Sequence, residues 1–453
     1  MELTNQSSII SLPGADTSMN IENIPTPKYN MIREKADQLI LNSKYKSTFN
    51  FEVFKDLELR FGLEQPRGGI VFNTTFKLVN SHSSCQQCLY AFELDTYGRG
   101  CTHDCVYCYA KQQLTQHGSW NKPFPMPVDI AEIWKSFYTV FETNKPSKWR
   151  DVLEKRIPLR IGSMSDSFMW MDKKYKVTQE LLKILKHYNY PYIIFTRSDM
   201  VGATPYIDLL DPDLCSVQMS ISSTNDDLNK KIEPGTPSSK KRLEALKRLT
   251  QNGFWTTVRL NPFFPIYPDG YFSDPGFDRT NNKLQFNFSS FEMVDEIASY
   301  GVQSILAGFV RLSPYALNQI QTACGVDLRP FFNNKIKLNT KDWNYSDAEI
   351  RAYYERIHAR CLQNKVQFTT CYIGNGEPQF WRDRDLWANK TDCCNASGRV
   401  KGFDGTSSRD LSWDVRLKHS TLKTSTPIDM DNLHTPLEEV RPLLIENGTV
   451  TLV

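Results

Sequence analysis

Short apolar runs alternate with amphipathic stretches along most of this chain, and the alternation sets in near residue 94. LDTYGRG (94–100), LRIGSM (159–164), PYIIFTRS (191–198), SVQMSIS (216–222), TTVRLNPF (256–263) and SILAGFV (304–310) read as strands. Between them VDIAEIWKSFYTVFE, VTQELLKILKHY, SSKKRLEALKRLTQNG and FEMVDEIASYG repeat apolar residues at helical spacing. Ser238 or Ser239 is placed to cap the third of these helices and Gly253 to end it. Apolar strands separated by helices predict a parallel sheet with right-handed crossovers. Six such units over residues 94–310 predict an α/β fold, a partial (β/α)6 barrel of TIM type instead of a closed eight-stranded one.

The pattern is different on either side. Residues 1–93 form an N-terminal extension, punctuated by Pro13, Pro25 and Pro27, with one helical stretch at MIREKADQLILNSKY. Residues 311–453 form a C-terminal segment: a helix opened by Ser346, a strand in VQFTTCYIG, the loop TDCC and a polar tail expected to be irregular. Charged residues make up 23% and hydrophobic ones 40% of 453 residues, as in a soluble globular protein. Lys and Arg total 54 against 51 Asp and Glu, so no global basic field argues for nucleic acid. No apolar run is long enough to span a bilayer and no secretion signal opens the chain, which predicts a cytoplasmic protein with no membrane association.

Eleven cysteines are an odd number for a framework of disulfides. They group as Cys85/Cys88, Cys101/Cys105/Cys108, Cys371 and Cys393/Cys394, with Cys215, Cys324 and Cys361 single. In a reducing compartment such groups read as metal ligands. The spacing C-x3-C-x2-C in CTHDCVYCYA turns three thiolates toward one face of an iron–sulfur cube and leaves the fourth iron open. A structural zinc site takes four closed ligands; three buried or zinc-bound thiols are the alternative. Sites in βα barrels form at the C-terminal ends of strands, and four consecutive strand ends here are polar: Ser163, Ser165 and Asp166; Thr196, Arg197 and Ser198; Ser220, Ser222 and Ser223; Arg259 and Asn261. Helix caps and ion pairs are the alternative for each one singly.

CTHDCVYCYAK, IGSMSD and the Lys231–Pro237 segment KIEPGTP before a basic helix resemble the radical S-adenosylmethionine (SAM) superfamily, in its spore photoproduct lyase-related (SplB-like) branch. The resemblance covers about residues 94–310. It implies a [4Fe–4S] cluster on Cys101, Cys105 and Cys108 that reductively cleaves SAM to a 5′-deoxyadenosyl radical, which abstracts hydrogen from a substrate. It further implies adenine against the backbone of Tyr107, the SAM amino group near Ser163, Ser165 and Asp166, ribose or carboxylate contacts from Ser220 and Ser222, and the carboxylate at Arg259. A reductant protein of flavodoxin or ferredoxin type is implied as partner, and a nucleic acid, nucleotide or related small molecule as substrate. No cysteine matches a known hydrogen-donor motif, so repair of spore photoproduct itself is not expected. Cys85, Cys88, Cys371, Cys393 and Cys394 are left over and are candidates for an auxiliary [4Fe–4S] cluster or a zinc site, which suits a peptide-modifying enzyme; a non-catalytic zinc or iron–sulfur protein is the third class considered.

Overall fold

The computed structural model describes residues 77–78, 90, 92–98, 100–116, 120, 125–128, 130–267, 270–276, 280, 287–332, 334–335, 343–371, 383–388, 393–396, 399–400, 443–446 and 449–452. The helical stretch expected near the N-terminus, and Cys85 and Cys88, lie outside them.

One sheet organises the described residues. Its strands run in sequence order: β1 (Lys77–Leu78), β2 (Phe92–Leu94), β3 (Leu159–Ile161), β4 (Tyr192–Thr196), β5 (Cys215–Ser220), β6 (Trp255–Phe263), β7 (Ser304–Phe309) and β8 (Gln367–Thr370). β1 is antiparallel to β2; every later neighbour is parallel, and β1 and β8 are not paired with each other, so the barrel is open. All six strands expected between 94 and 310 are present. The sheet does not stop there. The helix Asp347–Gln363 crosses back and delivers β8 alongside β7, Gln367 opposite Ser304. The C-terminal segment therefore contributes a seventh parallel strand.

Side chains alternate between the two faces of each strand. Ile194, Val217, Val258, Leu260 and Ile305 join the large core beneath the helices, with Leu181, Leu182 and Leu185 from Val177–His187 and Leu243, Leu246 and Leu249 from Ser239–Gln251. Ile193 and Leu306 point the other way, into a smaller cluster on the inner face with Trp387, Cys393, Cys394 and Val400. The helix boundaries follow local chemistry. Ser238 accepts the Lys241 N–H at 3.2 Å, Gly253 ends that helix at φ +83°, and Ser346 forms a capping box with Glu349. Cys361 is fully buried in its helix, as a core residue.

The tail differs from expectation. Leu443–Glu446 and Thr449–Leu452 form an antiparallel pair with Ile445 opposite Val450. Asn447-Gly448 separates them in the sequence, a dipeptide that favours tight hairpins. No helix among the described residues is long and apolar enough to cross a membrane.

Candidate functional site

Cys101–Cys108 follows β2, Ser163–Asp166 follows β3, Arg197 follows β4 and Ser222 follows β5, so the expected residues meet at the C-terminal ends of adjacent strands. The cysteine loop is held from outside itself. Val106 N–H donates to the Ile232 carbonyl at 2.9 Å, and Gly235 N–H donates to the His103 carbonyl at 3.0 Å. A Cβ on Gly235 would lie 2.0 Å from the Thr102 carbonyl oxygen, so only glycine lets the Glu233–Gly235 turn pack against the loop. Gly162 is the second such position: at φ +88°, with a Cβ that would meet the Phe195 carbonyl oxygen at 2.1 Å, it lets the chain leave β3 across β4.

Two charged centres brace the loop. The first is Asp166. Its carboxylate lies 3.0 Å from His103 Nε2 and accepts from Thr196 Oγ1 at 2.9 Å, Arg197 N–H at 2.6 Å and Phe168 N–H at 2.8 Å. Burial disfavours its charge, but His103 and these donors prevail and hold the carboxyl below its usual range. The other nitrogen of His103, Nδ1, lies 3.1 Å from the Gly235 carbonyl oxygen, tying the β3 end to the same turn. The second centre is Glu233, fully buried between Arg197 Nη1 at 2.7 Å and Arg242 Nη1 at 2.9 Å, and it also accepts from Tyr107 OH. Burial pushes Glu233 up, while Arg197, Arg242 and the Tyr107 and Ser222 hydroxyls outweigh it and bring the carboxyl down to about 2. Arg197 also lies over the Tyr107 ring at 5.4 Å and donates to the Asn261 carbonyl at 3.1 Å.

The residues named from sequence therefore divide. Ser165 donates to the Tyr97 carbonyl, Ser222 Oγ lies 3.0 Å from Tyr107 OH, and the Ser220 carbonyl accepts from Arg242 at 2.8 Å. These three, with Asp166 and the Tyr107 side chain, spend the hydrogen bonds seen here on the chain itself. Ser163 does not: its Oγ is buried with no partner, as is Thr102 Oγ1 on the loop. Arg259 is drawn elsewhere, to Gln218 Oε1 at 2.7 Å and Cys371 Sγ at 3.4 Å, and Arg197 is the arginine whose charge acts on both Cys105 and Cys108. Glu233 and His103 were not singled out from sequence as site residues. The E-P-G turn carried the signal for the first; nothing local marks the second.

The donor set fits an iron–sulfur cluster. Burial, joined by the Asp166 carboxylate, pushes the Cys101 thiol up to about 12, and burial also raises Cys105 and Cys108. Such thiols ionise when irons take them as ligands. The three sulfurs act electrostatically on one another, yet no group of three His, Cys, Asp or Glu among the described residues converges on a single ion. A cube takes each thiolate on a different iron, so it does not ask for convergence. The partnerless Ser163 and Thr102 hydroxyls flank the loop as donors and acceptors for a polar ligand beside it.

An open parallel barrel carries a three-cysteine loop over its strand ends. Residues 96–273 match the family model of the radical SAM superfamily. An uncharacterized protein of Methanocaldococcus jannaschii is 28% identical over 174 residues, which cover 37% of this chain and 58% of that protein. An uncharacterized protein of Acidianus two-tailed virus is 26% identical over 178 residues, 37% of this chain and 54% of that one. The chain thus spans little more than half the length of these curated relatives. Among solved structures, spore photoproduct lyase complexed with dinucleoside spore photoproduct is 16% identical with a TM-score of 0.47, covering 67% of this chain and 80% of the other.

Proposed function

We propose that this chain is a radical SAM enzyme in which Cys101, Cys105 and Cys108 hold a [4Fe–4S] cluster and SAM binds between the loop and the end of β3. The supporting observation is the seating of the three-cysteine loop at the strand ends, braced by Asp166–His103 on one side and Glu233–Arg197 on the other. Held by Cys101, Cys105 and Cys108, the cluster would supply the electron for reductive SAM cleavage and hence for hydrogen abstraction from a substrate. The chain's own contribution is position and exclusion of water. Asp166 fixes His103 and the Arg197 backbone; Glu233 fixes Arg197 and Tyr107; buried Phe264, next after β6, packs edge-on to Tyr107 at 5.5 Å. Ser163 offers its unused hydroxyl to SAM. The electron comes from a flavodoxin- or ferredoxin-type protein.

For the substrate we infer a nucleic acid, nucleotide or related small molecule. The Lys231–Pro237 motif supports this, as do exposed Lys231, Lys240 and Lys241 around the turn that packs on the loop, which suit a phosphate-bearing ligand. The test is anaerobic reconstitution with iron and sulfide followed by dithionite. Release of 5′-deoxyadenosine and methionine that depends on the three cysteines supports the reading; intact SAM in the presence of a reduced cluster sinks it. Oligonucleotide affinity that falls with added salt supports the substrate class, and salt-independent or absent binding counts against a polymer.

A further inference from the structure

The inner face of the sheet carries a second gathering of cysteines. Cys371 follows β8, with its N–H on the Ala307 carbonyl at 2.7 Å. Cys393 and Cys394 come from a separate stretch laid against the same face. There Gln218 Nε2 donates to the Cys394 carbonyl at 3.0 Å, and Asn395 Nδ2 donates to Ser304 Oγ at 3.1 Å and Gln367 Oε1 at 2.7 Å. Cys393 and Cys394 are buried, and Cys371 and Phe195 pack on them.

Arg259 reaches into this group from β6. It bonds Gln218 Oε1 and Cys371 Sγ, and its guanidinium lies 4.5 Å above the Phe195 ring. No carboxylate pairs with Arg259 among the described residues. A buried cation without an anion is costly, and a cluster held by thiolates beside Arg259 would supply negative charge. A second observation also points to a ligand. Thr257 Oγ1, Thr369 Oγ1 and Asn395 Oδ1 are buried without a hydrogen-bond partner. Thr257 stands two residues before Arg259, hence on the same face of β6, and Thr369 lies on β8 two residues before Cys371.

We propose that Cys371, Cys393 and Cys394 ligate a second iron–sulfur cluster on the inner face of the sheet, with Arg259 compensating the negative charge of its thiolates. As at the first loop, the sulfurs do not converge on one ion, and a polynuclear cluster with each thiolate on a different iron meets that spacing. The proposal stands independently of SAM chemistry at the loop.

The test is iron and acid-labile sulfide per full-length chain after anaerobic reconstitution, with EPR of the reduced protein. About eight irons are expected in the wild type and about four in each triple variant, Cys101→Ala/Cys105→Ala/Cys108→Ala and Cys371→Ala/Cys393→Ala/Cys394→Ala. The cluster left in the first variant should give an EPR signal indifferent to SAM. The cluster left in the second should still respond to SAM, so loss of either assignment is seen separately. No iron in the loop variant, or one zinc in its place, overturns the proposal, as does a wild-type iron count in the second variant. Should that second variant fail to fold, the loop variant alone decides, because it leaves Cys371, Cys393 and Cys394 intact.

Discussion

The two cysteine groups of this molecule are organised in opposite ways. Cys101, Cys105 and Cys108 lie within eight residues of sequence and sit in a frame of carboxylates with nitrogen partners: Asp166 against His103, Glu233 between Arg197 and Arg242, Lys111 on Asp104 at 2.6 Å. Cys371, Cys393 and Cys394 come from two segments and share one arginine that no described carboxylate answers. A cluster held by the second group's thiolates would supply the negative charge that no described carboxylate gives Arg259.

The sharpest way to break the comparison is to delete each group. Cys101→Ala/Cys105→Ala/Cys108→Ala should reduce dithionite-driven SAM cleavage to background, while Cys371→Ala/Cys393→Ala/Cys394→Ala leaves substrate-free cleavage measurable by release of 5′-deoxyadenosine. Equal loss in both would merge the two groups into one functional unit.

Removing the frame should come next in size. Glu233→Ala takes the carboxylate from fully buried Arg242 and partly buried Arg197, and breaking a buried pair in this way costs about 3–5 kcal/mol; urea denaturation of the unreconstituted protein measures it. The same residue sets a pH dependence. Its carboxyl is at about 2 in the folded chain against an ordinary 4.5. A depressed carboxyl contributes stability that is present in full above 4.5 and is lost as pH falls through about 2. The contribution is on the order of 3 kcal/mol. Glu233→Gln should flatten the stability profile between these values, and an unchanged acid limb would dismiss the ion pairs as the cause.

The difference between the groups also explains what could be read from sequence. The first was legible because its spacing is local, and the strands and helices around it were legible because apolar periodicity and caps such as Ser238 and Ser346 are local too. β8 was legible as a strand, but its membership of the sheet was not: the pairing of Gln367 with Ser304 depends on a crossover that no local pattern encodes. Arg197 and Arg259 look alike at their strand ends. Arg197 lies just beyond the last residue of β4, whereas Arg259 sits inside the nine-residue β6, which continues to a register shift between Leu260 and Phe263. That difference in length sends one side chain to the loop and the other to Cys371, and it is fixed by tertiary pairing.

Gly235→Ala tests how closely the frame fits. The new methyl group would meet the Thr102 carbonyl oxygen at 2.0 Å, and backbone cannot yield as a flexible side chain does. Overpacking of this kind costs about 1–3 kcal/mol. Because the displaced atoms belong to the loop, the variant should also incorporate less iron at Cys101, Cys105 and Cys108 while an iron count at the second group stays unchanged.

The smallest effect is expected at Ser163, and it separates frame from ligand contact most cleanly. The backbone there is held independently of the side chain, since Ser163 N–H donates to Asp95 Oδ1 at 2.7 Å and Met164 N–H to the same carboxylate at 3.2 Å. The buried hydroxyl itself makes no hydrogen bond in the chain. Ser163→Ala therefore removes no internal contact and relieves an unsatisfied polar group, so stability should move by no more than about 0.5 kcal/mol. Ser165→Ala, by contrast, deletes the bond to the Tyr97 carbonyl and should destabilise by about 1 kcal/mol. If Ser163 Oγ meets SAM, its loss weakens SAM binding to the reconstituted protein about tenfold, equivalent to about 1.4 kcal/mol, measured by calorimetry without oxygen. Unchanged affinity together with unchanged stability would mark this hydroxyl as idle and move the SAM contact away from the end of β3.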